Sequence, residues 1–194
     1  MRPVKVANKR ALARLADVFR EKGYEGASYK DLMAATGLVK ASLYHRFPGG
    51  KEELVDAIQS EVDRQFSEWV LRPAREEGLP ERRARQMARR LAEFYASGKR
   101  GCLLDTLTLA SNPGTLGHAK CSMESWIASF VRVGRDAGLP PALARRRAED
   151  AVAAIEGGLI VSRVMNNRRP FLRALATLPN RLTKATERGR RVLG

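Results

Sequence analysis

Lys40, Ala41, Ser42, Tyr44, His45 and Lys51 crowd one short stretch of the chain. Their chemistry is complementary to a DNA duplex. Lys40 can donate to guanine acceptors or to phosphate. Ser42 is small enough for close approach and bonds to either, and Ala41 suits a thymine methyl. Tyr44 and His45 have the reach and the donors for phosphate oxygens. Lys51, at the start of a following helix, would join its backbone N–H groups in holding a phosphate. Ser28, upstream, opens the segment and completes the candidate set.

The spacing around these residues predicts two helices and a tight turn. Ser28 and Asp31 fit S-x-x-[DE], a reciprocal cap that starts a helix. Leu32 and Ala35 supply its inner face. Gly37 follows about two turns later, where a sharp turn calls for left-handed backbone. A second helix over 40–46 would dock through Leu43 and Phe47, leaving the donors outward. This is helix-turn-helix geometry, in which the second helix enters the major groove. The plain alternative is a helical hairpin that binds nothing. For Tyr44, a packing role stands beside the contact role.

Charge supports the nucleic-acid reading. The chain carries 36 basic and 21 acidic residues, a formal +15. Residues 1–51 hold +7, residues 52–162 are neutral, and residues 163–194 hold +8. A basic N-terminal segment suits phosphate contact. Arg2, Lys5, Lys9 and Arg10 form either a phosphate-touching arm or an ordinary solvated patch. The basic tail reads as solubilising. Aromatic residues, at 6%, are too sparse for a single-strand stacking platform.

Other chemistry is thin. Cys102 and Cys121 form no CxxC pair and lack a histidine cluster at zinc spacing, so no metal or cofactor is expected. A sensor built on Cys102, His118 and Cys121 is a minor reading. His45 and His118 are the two histidines, neither with a nucleophile at recognisable spacing. No phosphate-cradling glycine loop appears, so an enzyme is not expected. No apolar run approaches the roughly 20 residues that cross a bilayer. No secretory leader is evident. A reduced, cytoplasmic protein without membrane contact follows.

The elements that position these residues all read as helices. Helical spacing recurs over 4–22, 51–72, 81–97, 103–110, 116–137, 142–167 and 170–188, beside the two helices of the motif. Pro73 and the Asn112-Pro113-Gly114 group serve as breakers. The expected fold is all-α with about nine helices. A DNA-binding domain over 1–50 precedes a larger domain over 51–194.

The neutral body offers Phe66, Trp69, Phe94, Leu107, Met123, Trp126 and Phe130 as the lining of an apolar cavity, or as core filling. The two indoles want N–H partners, which favours a pocket. Glu156 lies in the apolar run 151–161 and needs a cation or donors if buried. It would orient a ligand or pair with an Arg across a two-fold interface. Gly157 and Gly158 permit close helix approach there.

The stretch 37–51, with Leu43-Tyr44, Phe47 and then Lys51 and Leu54, resembles the DNA-binding signature of the TetR family of transcriptional regulators. Phe19, Gly23-Tyr24 and Ser28 fall at that family's spacing. Residues 42–54 and the group Gly101-Cys102-Leu103-Leu104 resemble its LmrA/YxaF-like branch. Val39 stands where Ser, Thr or Pro is common, and Arg46 replaces a frequent His or Tyr. The resemblance implies a homodimeric repressor on a pseudo-palindromic operator, released by a small-molecule effector. It places the effector pocket among the middle helices and the dimer contact on the last two. Val152, Ile155, Glu156, Leu159, Leu175 and Leu178 are the expected interface. The alternative function is a small-molecule sensing protein with little specific DNA binding.

Overall fold

The computed structural model describes residues 4–108 and 113–184, with side chains from residue 9 onward apart from 108 and 113–115. Among the described residues there are nine α-helices and no strand. The chain forms two compact units. One comprises the described parts of Met1–Phe66 and Gly101–Ser122, the other those of Ser67–Arg100 and Met123–Gly194.

The first unit contains α1 (Val4–Gly26), α2 (Tyr29–Thr36), α3 (Lys40–Arg46), α4 (Gly50–Gln65) and α6 (Leu103–Thr108). Apolar residues at helical spacing give α1 its inward face: Leu12, Leu15, Ala16 and Phe19 are buried. That face packs against α2, α4 and α6. Leu32, Leu43, Leu54, Ile58 and Leu107 complete one core. Each fully buried leucine or phenylalanine contributes about 1.5–3 kcal/mol. The expected stop at Gly23 is a kink rather than an end, and one more turn runs on to Gly26.

In the second unit, α5 (Pro80–Phe94), α8 (Pro141–Val164) and α9 (Arg169–Thr183) pack together. The helix expected over 51–72 changes form before its end. Regular α4 stops at Gln65, a wider turn covers Phe66–Val70, and a tight turn covers Arg72–Arg75. Regular helix cannot run through Pro73, because it has no N–H to give to the carbonyl four residues back. That carbonyl belongs to Trp69, and Arg90 donates to it at 2.5 Å. The helix expected from 116 starts earlier: Pro113 opens α7 (Pro113–Asp136), since a proline in the first turn loses nothing a helix would use. Residues 109–112 and 185–194, where the expected helices 103–110 and 170–188 end, lie outside the described residues. So do Arg2 and the side chain of Lys5.

Arg83 is buried. It is held by the carbonyls of Ala74 and Glu76, both at 3.1 Å, and by Asp136 at 2.7 Å. A buried guanidinium needs such partners, because an unpaired charge in the interior is costly. α8 and α9 approach closely at Gly158, where an added Cβ would stand 3.0 Å from the Phe171 Cα. The Phe171 N–H donates to the Ser162 hydroxyl at 3.1 Å.

Candidate nucleic-acid interface

The capping box forms as the sequence predicts. The Asp31 N–H donates to the Ser28 hydroxyl oxygen at 3.2 Å, and the Ser28 N–H donates to the Asp31 carboxylate at 3.0 Å. The Ser28 hydroxyl lies 2.7 Å from the same carboxylate, and Lys22 sits 2.5 Å from its other oxygen. These partners hold Asp31 down at about 2, Lys22 first and Ser28 second. With its proton directed at Asp31, Ser28 must release that bond before it can donate to a phosphate.

Gly37 ends α2 in left-handed backbone (φ 71, ψ 9), and its N–H donates to Met33 at 2.8 Å. A side chain there would be strained, so glycine sets the turn. Thr36 braces the turn from inside. Its hydroxyl donates to the Leu32 carbonyl at 2.8 Å and accepts from the Leu38 N–H at 3.3 Å.

α3 then presents two faces. Leu43 is buried and Phe47 half-buried against the first unit's core. Lys40, Ala41, Tyr44, His45 and Arg46 are exposed, and Ser42 is half-buried. Val39, the N-cap, makes no side-chain cap bond and is 65% exposed. The short second helix is therefore held by one leucine and offers its donors to the outside.

Four ring contacts were not legible in the motif. The Tyr29 and Tyr44 rings stack with centroids 5.1 Å apart at 17°. The Lys40 ammonium lies 5.9 Å and 5.7 Å from their centroids. Lys51 sits 4.6 Å over the Tyr24 ring. Such exposed cation–π contacts are worth about 0.5–1 kcal/mol each. Tyr24 is pushed above the usual phenol range by burial first, then by Glu52, Glu25 and Asp56. At the start of α4 the Gly49 N–H donates to Glu53 at 2.7 Å, so that backbone donor already has an anion. The signal for these contacts was weak. Tyrosines lay near lysines in the chain, but stacking between α2 and α3 depends on how the two helices cross.

The candidate effector residues divide between the units. Phe66, half-buried, and Leu107, buried, belong to the first. In the second, Trp126 and Phe130 are buried and meet edge-to-face at 6.0 Å. Phe94 and Met123 are half-buried, and Trp69 is exposed. Phe94 meets Tyr95 edge-to-face at 5.1 Å, and Tyr95 meets Phe171 at 5.9 Å.

Five of the six expected dimer residues lie in the core of their own chain. Val152, Ile155, Leu159, Leu175 and Leu178 are buried within a single chain. Each is 4% exposed or less, so they have almost no surface left for a second copy. Glu156 is half-buried. The outward apolar side chains of these helices and their connection are Ile160, Val161, Val164, Met165 and Leu172. α8 is apolar on more than one side, and periodicity alone cannot say which side the same chain covers.

His118 gains a partner that the sequence did not reveal. Its Nε2 lies 2.6 Å from Asp63 Oδ2, and the Ser122 hydroxyl also bonds that oxygen. Serine and histidine both address the carboxylate, so this is not the relay that activates a serine, where histidine stands between the other two. Cys102 is buried and Cys121 exposed. Among the described residues no group of three His, Cys, Asp or Glu could hold a metal, and no helix is long and apolar enough to cross a membrane.

Comparison with known proteins agrees with this geometry. Residues 11–58 match the family model of bacterial regulatory proteins of the TetR family. Residues 80–177 match the C-terminal domain of LmrA/YxaF-like transcriptional regulators. The HTH-type transcriptional regulator LmrA of Bacillus subtilis is 22% identical over 184 residues, 92% of this chain and 97% of that protein. YxaF, an HTH-type regulator of the same organism, is 24% identical over 168 residues, 84% and 87% of the two chains. A TetR regulator from Legionella pneumophila superposes with a TM-score of 0.82 at 21% identity, covering 94% of this chain and all of the other. CifR, a TetR-family regulator solved as a cysteine mutant with 26-bp operator DNA, superposes with a TM-score of 0.73 at 22% identity, covering 92% and 98%.

The chain belongs to the TetR family: it is a DNA-binding transcriptional regulator with an N-terminal helix-turn-helix. Within that family it belongs to the LmrA/YxaF-like branch. Its relatives are regulators, not enzymes.

Proposed function

We propose that this protein is a repressor that binds a pseudo-palindromic operator as a homodimer and leaves it when a small, largely apolar effector binds. It acts in the cytoplasm, where the chromosome lies. The observation that carries the reading is the exposed donor face of α3, fixed opposite buried Leu43. Residues 1–50, joined by Lys51 at the boundary, supply the DNA contacts, and the rest of 51–194 the effector and dimer contacts. Lys40, Ala41, Ser42, Tyr44, His45 and Lys51 form the contact set, with Ser28 chiefly the cap that aims it.

Support for a dimer comes from the outward apolar side chains of α8 and α9. Val164 is 78% exposed, with Ile160, Val161, Met165 and Leu172 also open. Apolar residues grouped on one surface mark protein contact. A two-fold dimer would set two recognition helices about one helical turn, ~34 Å, or a multiple of it apart on the operator. An effector releases DNA only if it favours a state with another spacing by unequal affinity. Trp69, Phe94, Met123, Trp126 and Phe130 of the second unit remain effector candidates, and so, separately, do Phe66 and Leu107 of the first.

A gel shift on DNA from the protein's own promoter region, at physiological salt and against random duplex, tests the proposal. Wild type should prefer the promoter fragment at least tenfold, and Tyr44→Ala or Lys51→Ala should lose most of the binding. Equal affinity for both duplexes would sink the repressor and leave a sensing protein with little DNA specificity.

A further inference from the structure

Tyr29 is not among the residues that the motif puts on DNA. It is the first residue of α2, half-buried against the first unit's core, and it lies on a different helix from the donors. Yet its ring is a wall for two of them. Tyr44 stacks on it, and Lys40 lies within cation–π reach of both rings. Lys40 and Tyr44 are four apart on α3, so they stand over one another on one face. Three side chains from two helices therefore make one cluster, anchored on the core side by Tyr29 and open on the side of Lys40 and Tyr44.

An isolated exposed lysine or tyrosine samples several rotamers, and binding must freeze them. A lysine attracted to two ring faces, and a tyrosine stacked on a fixed ring, have fewer rotamers to lose. The Tyr29 phenol is also held above its ordinary range, by burial first and then by its hydrogen bond with Tyr44.

Resting on the DNA-binding reading above, we infer that Tyr29 is a positioning residue for operator binding, holding Lys40 and Tyr44 as one preformed donor pair for a single backbone phosphate. Lys40 is thereby committed to the backbone. It adds affinity and salt dependence without choosing bases.

The probe is a duplex enriched from a random library by full-length wild-type protein. Tyr29→Phe keeps the ring, while Tyr29→Leu fills the space without a π face. Tyr29→Phe should bind within about threefold of wild type. Tyr29→Leu should weaken binding about tenfold and flatten the slope of log K against log salt by about one, the share of one phosphate contact. Adding Lys40→Ala to Tyr29→Leu should cost little more, because the two changes remove the same interaction. Lys40→Gln tests the same point from the exposed side, leaving the core untouched. It must weaken all duplexes alike and flatten the slope by about one.

Tyr29→Leu binding like wild type overturns the proposal. So does equal loss in the Phe and Leu variants, or a Lys40→Gln loss confined to particular base pairs. Melting curves identify a variant that has not folded, and Lys40→Gln then decides. If wild type enriches no duplex, the DNA-binding reading fails and this one with it. Wild-type enrichment with Tyr29 silent sinks only the role of Tyr29.

Discussion

In the first unit, α2 and α3 turn Leu32 and Leu43 inward and Lys40, Tyr44 and His45 outward. In the second, α8 and α9 bury Val152, Ile155, Leu159, Leu175 and Leu178, yet Ile160, Val161, Val164, Met165 and Leu172 still face out. The first pattern leaves a polar, basic surface that a phosphate backbone can neutralise. The second leaves an apolar surface that water does not favour and another protein surface would cover. Outward chemistry, rather than helix content, distinguishes the two regions.

The strongest break to this contrast is Leu43→Ala. Leu43 is fully buried under a seven-residue helix, so its loss should cost about 2–5 kcal/mol. Hydrogen exchange should rise across α2 and α3 and stay unchanged across α8 and α9. If both regions loosen equally, the two units are not separate in stability.

Next in size is the apolar face. Val161→Glu with Val164→Glu should turn a dimer into a monomer at micromolar concentration, read by light scattering, while circular dichroism is unchanged. Retention of the dimer would move the interface elsewhere. Gly158→Ala tests the seam beneath. Its Cβ would crowd the Phe171 backbone at 3.0 Å, so destabilisation of about 1–3 kcal/mol is expected, read by thermal unfolding. A neutral result would mean that α8 and α9 separate easily.

Smaller effects sharpen the polar side. Ser28→Ala should cost about 1 kcal/mol by removing one half of the capping box. The same box predicts a pH dependence. Asp31 sits at about 2 in the folded chain against 3.8 ordinarily, so its stabilising bonds are fully present above about pH 4 and are lost as pH falls through about 2. Denaturant titrations between pH 5 and pH 2 should show that loss in wild type and less of it in Ser28→Ala. Smallest of all, Val39→Ser should add about 0.5–1 kcal/mol of stability by supplying the cap that α3 lacks. No gain would mean that the α3 N–H groups already have partners.

How much could be read in advance follows from sequence distance. The Ser28–Asp31 box, the Gly37 turn and inward Leu43 all depend on residues within a few positions of one another, and each formed as spaced. Pro73 was correctly read as a breaker, but the early change at Phe66 and the rescue of the Trp69 carbonyl by Arg90 were not. That bond joins residues 21 apart. Tyr29 over Tyr44 and His118 on Asp63 were unreadable for the same reason.

The sequence by itself determined the all-helical class, the helix-turn-helix and its outward donors, because local capping, turn and period rules govern them. Only the tertiary structure decided which apolar face of α8 its own chain covers, and which ring stands behind Lys40 and Tyr44. Both depend on how helices cross, and the pattern of one helix does not encode that angle.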